Sequence, residues 1–174
     1  MPTPAEWIPF EWPATWKDAP LARLLEASPV NCLLAPPEMR THLGARFTCP
    51  DIAWHKSEEI DWRKPGPVVA LSDAVWPQIA SRGDGVSAGP TGVPWLDANG
   101  WLVRMAHALA PGVPVWLRSD PPEQPSTADY LLAYSEAAAH GAHWPIRITP
   151  ALAAGIARGS SEAIDTFNSI LAAA

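Results

Sequence analysis

The chain of 174 residues lacks the features that mark several large classes of protein. No apolar run approaches the roughly 18 residues that a membrane span needs, so no membrane partner is expected. The 18 acidic and 12 basic residues give a formal net charge of −6, which argues against a nucleic-acid partner. Neither of the phosphate-binding motifs GxGxxG and GxxxxGK occurs, and no cofactor is expected.

Cysteine is also scarce, which bears on both compartment and metal binding. Cys32 and Cys49 are too few for a disulfide framework, and Cys32 lies in an apolar run where a buried free thiol is expected. No HxH, HExxH or CxxC motif occurs, so no metal site is expected. The N-terminal residues 1–7 contain neither a basic start nor an apolar stretch. These features predict a reducing, cytoplasmic location.

The amino-acid composition of the chain is that of a globular protein. Apolar residues make up 48% of the chain and charged residues 17%, and the length suits a single α/β domain over residues 1–174. There are 21 prolines, which stand mostly at the edges of apolar segments and so separate many short elements. Ten tryptophans stand against three phenylalanines and two tyrosines, which indicates binding surfaces as well as core.

Short apolar segments alternate with helical patterns six or seven times along the chain. Strands are predicted at residues 30–35, 51–55, 67–73, 85–88, 113–119 and 144–149. Helices are predicted at 100–109, at 127–140 with Thr127 as the N-cap, and after Thr149-Pro150, with room for a short helix at 74–84. This alternation predicts parallel strands joined by helical crossovers. Polar groups follow strand after strand, which favours a small or incomplete (β/α) barrel of the TIM-barrel type. An open parallel α/β sheet is the alternative.

In either architecture, ligands bind at the carboxyl ends of the parallel strands. The side chains expected there combine carboxylates with aromatic rings, a pairing that suits sugar hydrolysis and sugar binding. The predicted catalytic residues are Asp73, Asp97 and Asp120. The predicted ligand-binding residues are His55, Trp76, Trp95, Asn99, Trp101 and Arg118.

The loop at residues 88–101 carries the densest group of these side chains. Its three glycines and two prolines restrict the backbone, so the loop is expected to have a defined shape. One interpretation makes Asp97 a ligand-binding carboxylate. The other makes Asp97 or Asn99 the N-cap of the helix that follows. The two interpretations are compatible, and both stay open here.

Over residues 30–150 the chain resembles sugar-acting β/α-barrel proteins of the glycoside hydrolase type. The resemblance is carried by Asp73, Trp76, Trp95, Asp97, Asn99, Trp101 and Asp120. It departs from many such proteins in lacking an Asn-Glu pair at the end of a strand. The resemblance implies a β/α-barrel fold and a role in binding or hydrolysing carbohydrate, and a relative that has lost catalysis fits the same residues.

Two hypotheses about function follow. The first is a carbohydrate-binding, glycoside-hydrolase-like protein whose oligosaccharide site lies around Asp97. The second is a non-catalytic interaction domain in which exposed tryptophans contact a partner protein. An incomplete barrel leaves strand edges open, so a homodimer is expected under either hypothesis.

Overall fold

A computed structural model describes residues 3–17, 19–43, 47–77, 79–82, 85–88 and 99–174. The described residues include seven strands, all of them short. They are β1 (Pro9–Glu11), β2 (Cys32–Leu34), β3 (Val69–Leu71), β4 (Ile79–Arg82), β5 (Gly85–Ala88), β6 (Val115–Leu117) and β7 (Ala142–His143).

Five α-helices of the described residues lie between or after these strands and contain more residues than the strands do. They are α1 (Pro37–Leu43), α2 (Gly100–Leu109), α3 (Thr127–Ala139), α4 (Pro150–Ala157) and α5 (Ser161–Ala173). Short 3₁₀ helices lie at Pro4–Glu6, Ala19–Leu25 and Ser57–Glu59. No helix of the described residues is long and apolar enough to cross a membrane.

The chain divides into two compact units. The first unit contains Met1–Ile52 and Pro145–Ala174, and the second contains Ala53–Trp144. In the first unit β1 and β2 pair in parallel, with Phe10 opposite Leu33. Isolated parallel bridges add Ile146 beside β1 and Thr48 beside β2. The first and last extended segments of the described chain therefore pair with each other.

The second unit has a parallel sheet in the order β3-β6-β7, and a bridge joins His55 to Leu71 of β3. Strands β4 and β5 form a separate antiparallel pair. The expectation of a short helix at residues 74–84 was therefore wrong for residues 79–82, which form β4. The cause is pairing with β5, a tertiary contact that overrides the local pattern on which the helix was predicted.

Several predicted helix boundaries agree with the structure. Helix α2 covers the predicted residues 100–109, and Thr149 caps α4 by accepting a hydrogen bond from the N–H of Leu152. The cap of α3 is Ser126 and not Thr127, because Ser126 and Asp129 form a reciprocal capping box. Gly141 follows α3 at φ +78°, the left-handed conformation expected of a glycine after a helix.

Aromatic side chains form much of the core in the first unit. The rings of Phe10, Trp16 and Phe167 are almost fully buried, and their centroids lie 5.7 to 6.0 Å apart. The indole N–H of Trp16 donates a hydrogen bond to the carbonyl of Ala153 at 2.9 Å. Six of the ten tryptophans are buried among the described residues, so most of the tryptophan excess serves packing.

The architecture is mixed α/β with small parallel sheets, as the alternation of elements predicted. The parallel sheets have two and three strands. Among the described residues the strands form open sheets and not a closed barrel, so the open parallel α/β alternative fits. Cys32 is a fully buried free thiol, as expected from its place in an apolar strand.

Candidate functional site

Asp73 lies two residues after β3, at the carboxyl end of that strand. Its Oδ2 accepts hydrogen bonds from the backbone N–H of Ser57 at 3.0 Å and from the Ser57 hydroxyl at 2.5 Å. These bonds hold the first residue of the Ser57–Glu59 turn. The other oxygen, Oδ1, is buried and has no hydrogen-bond partner among the described residues. One oxygen of the Asp73 carboxylate is therefore structural, because it holds Ser57.

An aromatic cluster lies in the same unit. It consists of Trp76, Tyr130, Tyr134 and Trp144. Trp76 meets Tyr130 edge-on with centroids 5.4 Å apart, and the ring of Trp144 lies 5.4 Å from that of Trp76. Trp144 directly follows β7. Both tryptophans therefore come after carboxyl ends of strands in the same parallel sheet.

The polar atoms of this aromatic cluster are buried without partners. Both indole N–H groups and both phenol hydroxyls lack a hydrogen-bond partner among the described residues. Burial raises the pKa of Tyr130, and burial likewise raises the pKa of Tyr134, so both phenols keep their protons. Native proteins pair most of their buried polar atoms. Four such atoms in one cluster therefore call for an explanation.

A cationic and aromatic pair adjoins the carboxyl end of β6. The guanidinium carbon of Arg118 lies 5.2 Å from the ring centroid of Trp54, a distance typical of a cation–π contact. The Trp54 ring itself lies 6.5 Å from the ring of Trp116. Asp120 lies two residues after Arg118 in the chain and is exposed. His55 is exposed too, and its backbone pairs with β3.

Asn99 is a buried structural residue and not part of an open surface. Its side-chain Oδ1 accepts from the N–H of Val75, and its Nδ2 donates to the carbonyl of Val75. The same Nδ2 and the Asn99 backbone N–H donate to the two oxygens of Glu136 at 3.0 and 2.7 Å. The Asn99 amide is thus occupied by the protein, which leaves little of it for a ligand.

Of the remaining predicted site residues, only Trp101 belongs to the described part of the chain. Trp101 points to solvent, with 58% of its surface exposed. Trp95 and Asp97 lie outside the described residues. The N-cap position of α2 is Asn99, one of the two residues expected there, although its side chain makes no capping bond.

The first four residues of a GxSxG sequence at residues 85–89 form β5. In a nucleophile elbow the serine lies on a sharp turn between a strand and a helix. Ser87 instead lies within β5 and pairs with Ala80 of the antiparallel partner strand. The local structure is therefore not that of an elbow.

Four residues that shape this region are not among the predicted site residues: Ser57, Tyr130, Glu136 and Trp144. Glu136 had a visible signal, because it follows the buried Tyr130 and Ala133 by six and three residues on α3 and so falls in their apolar stripe. Ser57 had none, since it meets Asp73 across sixteen residues of chain.

These side chains of the second unit include one carboxylate oxygen, several N–H and O–H donors, aromatic rings and a guanidinium. No group of three or more His, Cys, Asp or Glu side chains in the described part of the chain is placed to hold a metal ion. Such a donor set suits binding of a neutral polar molecule. Comparison of the chain with protein-family models, with curated proteins and with solved structures gives no match.

Proposed function

We propose that the protein binds a carbohydrate beyond the carboxyl ends of the parallel strands in its second unit. The observation that carries the proposal is a set of buried polar atoms in this unit that have no hydrogen-bond partner among the described residues. They belong to Asp73, Trp76, Tyr130, Tyr134 and Trp144.

The mixture of atoms matches the chemistry of a sugar. A sugar hydroxyl both donates and accepts hydrogen bonds, so one ligand can donate to Asp73 Oδ1 and accept from an indole N–H. Aromatic rings provide flat apolar surfaces for the C–H faces of the pyranose. An anion would accept from the indoles but would be repelled by Asp73. A neutral polyhydroxylated ligand therefore satisfies both kinds of atom.

The proposal includes the small (β/α) barrel that the sequence favoured. Within each unit the parallel segments pair in chain order, with the antiparallel β4 and β5 set aside, and Ile146 pairs with the first strand. Sequential parallel pairing with the last segment beside the first is the pattern a barrel requires, and barrels bind ligands at the carboxyl ends of their strands.

Hydrolysis of the bound sugar is the enzymatic form of this proposal. It needs a second carboxyl group about 5 to 9.5 Å from the first. Asp73 is one candidate, and Asp120, which follows the neighbouring strand β6, is another. Asp97 remains the third. Release of reducing sugar by the wild type and its loss in Asp120→Asn would support hydrolysis.

The binding test compares two substitutions of Asp73 by saturation-transfer NMR against a panel of oligosaccharides. In Asp73→Asn the amide oxygen can still accept both bonds from Ser57, while the NH₂ replaces the free oxygen with a donor. We expect a melting temperature close to that of the wild type and affinity at least tenfold weaker. Asp165→Asn, which changes an exposed side chain of α5, is the matched control and should bind normally.

Tyr130→Phe separates a ligand role from a packing role. Because the hydroxyl has no partner in the described protein, its removal should leave stability unchanged or increase it. The same variant should bind the oligosaccharide more weakly. Unchanged affinity in both Asp73→Asn and Tyr130→Phe would refute the proposed site.

A second candidate function is protein interaction through α2. Trp101 and Leu109 lie eight residues apart on one face of this helix and are 58% and 46% exposed, with the partly exposed Met105 between them. A homodimer through this face predicts a sedimentation coefficient that falls in Trp101→Gln. A sedimentation coefficient that stays that of a monomer at all concentrations would exclude the homodimer.

A further inference from the structure

The first unit contains a cavity of about 530 Å³ that the carbohydrate site does not use. Its apolar walls are formed by Leu21 and Leu24 of the Ala19–Leu25 3₁₀ helix, by Ile156 near the end of α4, and by Ile164 of α5. This volume lies within the usual range of about 300–1,000 Å³ for small-molecule sites. The cavity is therefore large enough for a small ligand with an apolar body.

Two cations also line this cavity. They are Lys17 and Arg23. Neither side chain makes a hydrogen bond or ion pair with any described residue, and none of the described lining residues is acidic. In a chain with a formal net charge of −6, Lys17 and Arg23 lie beside one apolar cavity that has no acidic side chain among its described lining residues. They complement a ligand with a negative head.

The walls of the cavity are held in place by tertiary contacts. Trp16, which lies between the lining residues Thr15 and Lys17, is buried and donates its indole N–H to Ala153 of α4. Helices α4 and α5 pack so closely that a Cβ added to Gly155 would come within 2.9 Å of the Ala163 methyl. The apolar surface is thus preformed, which reduces the entropy lost when a ligand binds.

We propose that this cavity binds an aliphatic carboxylate of medium chain length, with its tail between the 3₁₀ helix and the α4–α5 pair. Its carboxylate lies between Lys17 and Arg23. Because of the two cations, the cavity should bind this ligand more tightly than an apolar molecule or an amphiphilic cation. Because of its apolar walls, the cavity should also bind this ligand more tightly than a simple anion such as acetate. The proposal does not depend on the carbohydrate site, which lies in the other unit.

The first test uses titration calorimetry of the full-length protein with acetate, octanoate and decanoate below their micellar concentrations. Each buried methylene should strengthen binding about fourfold, so decanoate should bind about fifteenfold more tightly than octanoate. Decanol and decyltrimethylammonium have the same tail without the negative charge. Both should bind more weakly than decanoate.

Two pairs of variants test whether the ligand binds in this cavity. Ala157→Trp fills the cavity from its exposed edge, and Ala151→Trp adds the same ring to an exposed position of the same helix. We expect the first to abolish decanoate binding and the second to preserve it. Lys17→Met with Arg23→Met should weaken decanoate about tenfold and leave decanol unchanged, whereas Lys64→Met in the other unit should affect neither.

The proposal is overturned if decanol or decyltrimethylammonium binds as tightly as decanoate, or if affinity is independent of chain length. Both results come from the wild-type protein, so they hold even where a variant fails to fold. Equal decanoate affinity in Ala157→Trp and Ala151→Trp, with both variants folded by circular dichroism, would also overturn it. Loss of oligosaccharide binding alone would contradict the carbohydrate proposal and leave this one standing.

Discussion

The backbone N–H of Asn99 donates to Glu136 Oε1 at 2.7 Å, and the Asn99 side-chain Nδ2 donates to Glu136 Oε2 at 3.0 Å. Both residues are buried, with 2% and 5% of their surfaces exposed. Asn99 also bonds both backbone groups of Val75. Asn99 therefore joins the start of α2, the segment after β3 and the last turn of α3. A buried carboxylate is tolerated here because both of its oxygens accept hydrogen bonds.

Breaking this contact should destabilise the second unit. Asn99→Ala removes the Nδ2 donor from a buried carboxylate and leaves the two backbone groups of Val75 without their partner. We expect a loss of about 2–4 kcal/mol in the free energy of unfolding, measured by urea denaturation. Glu136→Gln should lose less, because the amide oxygen can still accept from the Asn99 backbone.

The control for this prediction is Glu58→Gln, which changes an exposed glutamate in the same unit. It should alter the free energy of unfolding by less than about 0.5 kcal/mol. If Asn99→Ala and Glu58→Gln have the same urea midpoint, the hydrogen bonds of Asn99 do not stabilise the fold.

Local signals predicted the elements well. Helix α2 has the predicted bounds because Leu102, Met105, Ala106 and Leu109 repeat at helical spacing, and β5 covers the predicted residues 85–88. The wrong prediction of a helix at residues 79–82, which form β4, has a local explanation as well. The pair Gly83-Asp84 between β4 and β5 is typical of hairpin turns, but the upstream Pro77 favoured a helix start.

The contacts of the candidate site were less predictable because they join residues distant in the chain. Ser57 meets Asp73 across sixteen residues, and Asn99 meets Glu136 across thirty-seven. The strand-end rule placed Asp73 and Trp76 after a parallel strand, and both do follow β3. The rule could not predict that one oxygen of Asp73 accepts hydrogen bonds from Ser57, or that Asn99 is buried and bonded to Glu136.

Cys32 and Cys49 should differ in reactivity. Burial, followed by the effect of Cys49, raises the pKa of Cys32 to about 12, and Cys32 is fully buried. Because the thiolate is the reactive form, iodoacetamide at pH 8 should modify Cys49 first and reach Cys32 only after unfolding. Peptide mapping by mass spectrometry measures both rates. Rapid modification of Cys32 in the folded protein would mean that β2 is exposed.

The same pKa shift predicts a loss of stability at high pH. The folded pKa of Cys32 lies near 12, above its ordinary value of 9.0, so the folded state holds this proton more tightly. Its contribution to stability is complete below about pH 9 and is lost as the pH rises toward about 12. The difference in urea midpoint between wild type and Cys32→Ala should therefore shrink from pH 8 to pH 10.5. A difference that is constant over this interval would contradict the shift.

Asp97 remains the residue on which the two original interpretations of residues 88–101 make opposite predictions. If its charge contacts a sugar, Asp97→Asn should melt like the wild type and bind oligosaccharide more weakly. If it only supports the start of α2, Asp97→Ala should lose about 0.5–2 kcal/mol of stability. We expect the first result, measured by thermal melting and saturation-transfer NMR. Normal binding in Asp97→Asn with a lower melting temperature in Asp97→Ala would make the residue structural.

Gly155 sets the distance between α4 and α5. Alanine usually stabilises a helix relative to glycine by about 1 kcal/mol, so Gly155→Ala would be stabilising if the helix were isolated. Here the added Cβ would meet the Cβ of Ala163 at 2.9 Å, closer than carbon atoms approach in proteins, so the helices must separate. We expect a net loss of about 1–3 kcal/mol in the free energy of unfolding, measured by urea denaturation. Adding Ala163→Gly to this variant removes the overlap and should recover stability beyond the sum of the two single effects. Strictly additive effects would show that the two helices do not meet at this point.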